Sequence, residues 1–341
     1  MTNHTTEPQA KASAEAHPGD QYEIPTHEDH DSFAALKGRI KKHYEIASDY
    51  YYSLWGQHIH HGYFKSPAET KEQAQVNLIN YLLEISSLPK ESKVLDVGCG
   101  IGGTSRFLAK EHGCRVTGLT ISGRQVEIAK RLTQAEASPT TSSSTSTAPS
   151  TPPEGEGKGV ISLPSGGSCE FIELDAETML DHFSADGKPT AQFDCVWISE
   201  ALSHFPNKPL FFRSAFALLR PGGRLVIADW FKAPDLTPEQ EKADIDPIED
   251  GMLLPPLCTA DRYAEMAREA GLKVHQAPID ISKEVARTWD ISWILVSSPS
   301  LWAFAISQGR DGLAFLQAFR AMRRGYANGT FRYTIMCFEK P

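Results

Sequence analysis

The stretch VLDVGCGIGG, Val94 to Gly103, constrains this chain more than any other. A short apolar run ends in four glycines spread over six positions, and TSRFLAKEH follows. That order reads as strand, tight turn and helix, and the glycines let a ligand approach the backbone closely. The same alternation recurs downstream. Lys93 to Val97, Arg115 to Thr120, Cys169 to Leu174, Phe193 to Ser199 and Arg224 to Trp230 read as strands. Between them, Thr104 to His112, the segment GRQVEIAKRL capped by Ser122, and Pro209 to Leu219 read as helices. Strands alternating with helices imply an α/β fold, a Rossmann-like parallel sheet with helices on both faces. In such a sheet ligands bind at the carboxyl ends of the strands.

Two polar stretches stand apart. Residues 1–31 lack apolar periodicity and carry four of the twelve histidines, the pattern of a disordered tail. Residues 136–168 form an insertion whose richest part, Ala137 to Gly159, is dominated by Ser, Thr, Pro and Gly. This leaves a helical lid at 32–90 and a core at 91–341 that carries further lid elements near its C-terminal end. There, Ala260 to Ala270 and Asp311 to Arg324 read as helices, and Leu272 to Ala277 and the end of Asn328 to Phe338 as strands.

The net charge of −9 argues against a nucleic-acid partner, which needs clustered Lys and Arg. No apolar run is long enough to cross a bilayer and the first residues hold no secretory signal. Six scattered cysteines without a CxxC pair suggest free thiols and a cytoplasmic setting.

Gly98, Gly100 and Gly103 satisfy GxGxxG, so a dinucleotide site competes with other readings, as does a plain tight turn. Asp96 would repel a pyrophosphate and favour a cation such as the ammonium or sulfonium of S-adenosylmethionine. The second strand ends in GLTIS, with Thr120 where a dinucleotide site expects an acid.

LDVGCGIGG resembles the first motif of the class I S-adenosylmethionine-dependent methyltransferases. GLTIS with Gln125 resembles the second motif of one branch. That branch holds the gamma-tocopherol methyltransferases, plant alkaloid N-methyltransferases and, more distantly, the sterol side-chain methyltransferases. The likeness continues through LDAE (174–177), FDCVWISEALSHFPN (193–207), LLRPGGRLVIADW (218–230) and GYANGTFRYTIMCFEKP (325–341). It covers most of residues 35–341 outside the insertion.

The resemblance implies S-adenosylmethionine as methyl donor, with Asp96, Gly98 and Gly100 at its methionine and ribose end. Thr120 and Gln125 would lie near the ribose, Asp175 and Ala176 at the adenine, and the Ser199 carbonyl near the ammonium. His204 is the candidate base, since an imidazole titrates near neutrality, and packing of the turn before Pro206 is its alternative role. Glu200 would orient the acceptor or steady a developing cation.

SLWGQHIHHGYF, residues 53–64, holds three histidines. Their spacing suits a metal, yet methyl transfer from a sulfonium needs none and no Cys or acid nearby completes a site. The segment reads instead as lid, through Tyr51, Trp55, His60 and Tyr63, with ordinary packing as the alternative. Trp230, Phe231, Trp289, Trp293 and Trp302 are candidates for an apolar wall that suits a lipophilic or aromatic small molecule. A protein that binds the donor without transferring methyl, as a cyclising catalyst or binding module, and a nicotinamide oxidoreductase are the competing functions.

Overall fold

The computed structural model describes residues 33–138, 159–296 and 310–341. The tail at 1–31, most of the Ser/Thr-rich stretch and Trp302 lie outside them. The chain opens with α1 (Phe33–Trp55) and α2 (Lys71–Ser86), then β1 (Lys93–Val97), α3 (Gly103–His112), β2 (Arg115–Thr120) and α4 (Gly123–Ala137). After β3 (Ile161–Ser162) come β4 (Ser168–Glu173), β5 (Phe193–Ser199), α5 (Lys208–Leu218) and β6 (Leu219–Lys232). The last part holds α6 (Asp246–Met252), α7 (Ala260–Glu269), β7 (Lys273–Asp280), α8 (Arg287–Val296), α9 (Arg310–Asn328) and β8 (Phe331–Glu339).

Eight strands form one sheet in the order β3-β4-β2-β1-β5-β6-β8-β7. The neighbours from β4 through β6 run parallel. β8 pairs antiparallel with both β6 and β7, and β3 antiparallel with β4. The sheet is thus parallel only in its middle. Apolar runs mark a strand but not its direction, and the antiparallel end follows from chain entry at Thr330 after the turn at Gly329 (φ 78°). Within the 136–168 stretch, α4 runs on to Ala137 and Ile161–Ser162 fold back on β4.

Both faces of the sheet are buried, which is why its strands read as apolar runs rather than as alternations. Val94, Trp197 and Val226 pack with Leu78, Leu108 and Ala129 on one face. Leu95, Val196, Ile198 and Leu225 pack with Phe211, Phe212 and Tyr263 on the other. Local chemistry sets the helix starts. Thr70 and Gln73 form a capping box on α2, Ser122 accepts from the Gln125 N–H on α4, and Asn207 accepts from Leu210 on α5. Gly113, in the left-handed region, ends α3.

Candidate active site

An open cleft lies at the carboxyl ends of β1, β2, β4 and β5. The strand order reverses there, between β2 and β5 on either side of β1. Gly98, Thr120, Gln125, Asp175 and Ala176 line one part of it and Glu200 and His204 another. Lys37, Ile40 and Tyr44 of α1 close over it.

The glycine turn is shaped by its neighbours. Gly98 has φ 75°, and a Cβ there would stand 2.3 Å from that of Ala201. Only glycine lets β1 and the loop after β5 approach this closely. Asp96 lies one step behind the cleft, 3% exposed, and accepts a 2.5 Å bond from Ser105 Oγ. Burial pushes its carboxyl up to about 6, against the pull of that one bond. Thr120 donates to the Gln125 amide oxygen at 2.5 Å, which leaves the Gln125 amide N–H groups for other partners. Asp175 receives the Lys37 ammonium at 3.0 Å, and Glu177 takes the same ammonium.

The loop after β5 carries the candidate groups Glu200 and His204. His204 Nε2 stands 3.3 Å from the Tyr44 hydroxyl. The loop is held from beneath by two buried charges. Asp229 accepts the Ser203 N–H at 2.7 Å, and Lys208 donates to the carbonyls of Ser203 and Phe205, at 3.2 and 3.0 Å. Burial raises the Asp229 carboxyl to about 7 and lowers the Lys208 ammonium.

Glu200 adopts φ 54°, the left-handed region, an uncommon choice for a residue with a side chain. Its Oε1 accepts from the His61 N–H at 2.6 Å and from the Tyr333 hydroxyl at 2.8 Å. Its Oε2 lies 3.0 Å from His61 Nδ1. Burial alone would raise this carboxyl. The His61 charge and hydrogen bonds outweigh it and hold the group below the ordinary carboxylate range.

The HIHH segment divides its labour. His61 sits 2% exposed among Trp230, Trp289, Tyr326 and Tyr333. His60 Nδ1–H donates to the His61 carbonyl, 2.8 Å away, and His60 lies outside the cleft lining. Trp55 reaches the His60 carbonyl at 3.5 Å, and Tyr63 packs on Tyr81. The Tyr51 side chain is outside the described part. Ser199 completes β5 opposite Ala228, behind the cleft. Among the described residues no group of three or more His, Cys, Asp or Glu stands together to hold a metal.

The structure thus brings Gly98, Thr120, Gln125, Asp175, Ala176, Glu200 and His204 to one cleft. It sets Asp96 and Ser199 behind the lining strand ends, and the contacts of Trp55, His60 and Tyr63 described above lie outside the cleft lining. Trp230, Phe231 and Trp289 are core residues, and the first and third of them enclose His61. Sequence reading passed over His61, Tyr333, Tyr44 and Lys37. The acid inside the apolar run VIADW was a readable sign of Asp229.

The cleft suits an adenosyl donor. Apolar Leu119, Ile121 and Leu174 stand beside the polar Gln125 and Asp175, with a glycine turn at one end. Comparison with known proteins agrees. A family described as "Methyltransferase domain" matches residues 70–277. A 2-methyl-6-phytyl-1,4-hydroquinone methyltransferase of Synechocystis is 30% identical over 258 residues, 73% of this chain and 70% of that protein. A chloroplastic tocopherol O-methyltransferase of Arabidopsis thaliana is 27% identical over 330 residues, 91% of this chain and 84% of its own. The crystal structure of a mycolic acid cyclopropane synthase complexed with SAH and CTAB shares the fold, with TM-score 0.69, 17% identity and coverage of 89% and 98%. The chain belongs to the class I S-adenosylmethionine-dependent methyltransferases, in the branch that includes the tocopherol and sterol methyltransferases.

Proposed function

We propose that this methyltransferase acts on a lipophilic or aromatic small molecule, by O-, N- or C-methylation, in specialised metabolism. One observation supports the reading: His204 lines the same cleft as Gly98, Thr120, Gln125, Asp175 and Ala176. S-adenosylmethionine supplies a methyl group already activated on a sulfonium. Thr120 and Gln125 would hold its ribose and Asp175 and Ala176 its adenine, with Gly98 and Gly100 at its methionine end and Asp96 and Ser199 behind them. For the adenine to reach Asp175, Lys37 must give way or share that carboxylate with it.

His204, beside Tyr44 in the cleft wall, would take the proton of a hydroxyl or ammonium acceptor. Trp55, His60 and Tyr63 would support the cover over the donor, and the proposal for Tyr51 stands beside them. The relatives named for a prenylated hydroquinone and a tocopherol support a lipophilic acceptor. The acidic net charge supports a partner other than nucleic acid. No helix of the described residues is long and apolar enough to cross a membrane, and all six cysteines are free, which supports a cytoplasmic enzyme.

The test is transfer of labelled methyl to a panel of prenylated hydroquinones, phenols, amines and alkenes. With a hydroxyl or amine acceptor, His204→Ala should lower turnover by about 10²–10⁴-fold while calorimetric binding of S-adenosylhomocysteine persists. Binding without transfer to any member would sink the proposed acceptor class, and undiminished turnover in His204→Ala would remove the base.

A further inference from the structure

Glu200 combines two features that pull apart. The residue lines the cleft, and its side chain is only 10% exposed. A buried carboxylate normally gains a proton, but here both oxygens are committed to donors. Oε1 takes the His61 N–H and the Tyr333 hydroxyl, and Oε2 takes His61 Nδ1. His61 is in turn backed by the Tyr326 hydroxyl, 3.4 Å from Nε2. Every donor comes from outside the sheet's parallel half: His61 from the segment between α1 and α2, Tyr333 from β8 and Tyr326 from α9. A carboxylate so saturated makes a poor base, because a proton on it must displace a hydrogen bond. It makes a good fixed charge.

We propose that Glu200 is a fixed anion that recognises positive charge in the cleft, in the first place the sulfonium of the methyl donor, and that His61 is its positioning residue. The proposal rests on the donor occupying this cleft. It differs from proton abstraction, which the cleft leaves to His204. The left-handed backbone at Glu200 fits this role, since it turns the side chain off the strand end toward His61 and the cleft together.

S-adenosylmethionine and S-adenosylhomocysteine differ by a methyl group and its positive charge, so the ratio of their dissociation constants reads the anion without any acceptor. Titration calorimetry of the full chain with each ligand should show the preference for the sulfonium fall by at least about fivefold in Glu200→Gln, roughly 1 kcal/mol. His61→Phe should lose the same preference, and His61→Asn, which returns a side-chain N–H near the place of Nδ1, should keep most of it. Lowering the pH from 8 to 6 should reduce the ratio of His61→Phe more than that of the wild type. Burial, no longer opposed by His61, then favours the protonated acid. The other ionisable groups near Glu200 are His60, His204, Tyr44, Tyr326, Tyr333 and Asp229; none is substituted in that variant, so their titration, that of Asp229 near 7 included, enters both proteins alike.

A Glu200→Gln ratio equal to wild type would overturn the proposal. So would a His61→Phe variant that weakens both ligands equally, since His61 would then be a packing residue only. Where His61→Phe fails to fold by circular dichroism, Tyr333→Phe carries the test, with a smaller loss of preference expected and no loss refuting it. Failure of the wild type to bind either ligand would instead refute the donor's placement in this cleft, and the proposal with it.

Discussion

Two buried glutamates show how close partners decide the state of a carboxyl. Glu200 has three donor contacts and is held low, as above. Glu249, on α6 and 5% exposed, has the Leu257 N–H at 2.7 Å as its hydrogen-bond donor. Burial wins there and raises its carboxyl from an ordinary 4.5 to about 7. The folded chain therefore holds a proton that the unfolded chain has released between those two values. Stability falls as pH rises across that window, by up to about 3 kcal/mol for this residue, and is flat above it. Glu249→Gln keeps an oxygen for Leu257 and removes the titration. Denaturant midpoints at pH 5 and pH 8 should converge in the variant, and an unchanged gap would show that Glu249 does not carry it. Asp96 and Asp229 are raised in the same direction and should supply the slope that remains.

At the scale of elements, polar contacts tie α1 down over the cleft. Lys37 reaches Asp175 and Glu177, Lys41 reaches Glu173 at 2.6 Å, and Glu45 accepts from Ser122 Oγ at 2.9 Å at the start of α4. Lys41 and Glu173 are well exposed and contribute little. Lys37 is more enclosed, at 18%. Lys37→Met should weaken closure by roughly 1 kcal/mol, so that hydrogen exchange of α1 amides quickens about fivefold while β1 and β5 are unaffected. Equal exchange in the two proteins would mean that apolar contacts such as Leu36 and Ile40 suffice. These ties explain which parts of the molecule the sequence disclosed. Lys93–Val97, Arg115–Thr120 and Phe193–Ser199 were legible to the residue because each is a short apolar run between turn signals. The cover was legible as helix, but its partners were not. His61 and Glu200 are 139 positions apart, and no local period records such a pairing. Strand direction at the β8 end was hidden for the same reason.

Over the whole molecule, the segment 56–64 is the piece that joins the parallel half of the sheet to the antiparallel half. Four successive N–H groups, from His61 to Phe64, are bonded to Glu200, Thr288, Ala74 and Glu284, in three separate parts of the chain. Gln75 of α2 holds the carbonyls of His58 and His60 from beneath. At its start the segment rests on the glycine turn, where a Cβ on Gly103 would stand 2.1 Å from the Gln57 carbonyl oxygen and 2.9 Å from His58 Nδ1. This contact needs a glycine for a reason separate from ligand approach: the last glycine of the motif is a seat for the cover. Gly103→Ala must lift residues 57–58, and overpacking of this kind costs about 1–3 kcal/mol. The cost should be spent locally. Amide exchange at residues 61–64 should accelerate, because lifting the segment strains all four bonds together, while β6 and β8 keep their protection. Glu200 would lose its hold from His61 in the same event, so the preference for the sulfonium over S-adenosylhomocysteine should fall in Gly103→Ala without any change to Glu200 itself. If exchange at 61–64 and that preference both stay as in the wild type, the glycine turn and the anion are independent, and the first motif acts only on the donor.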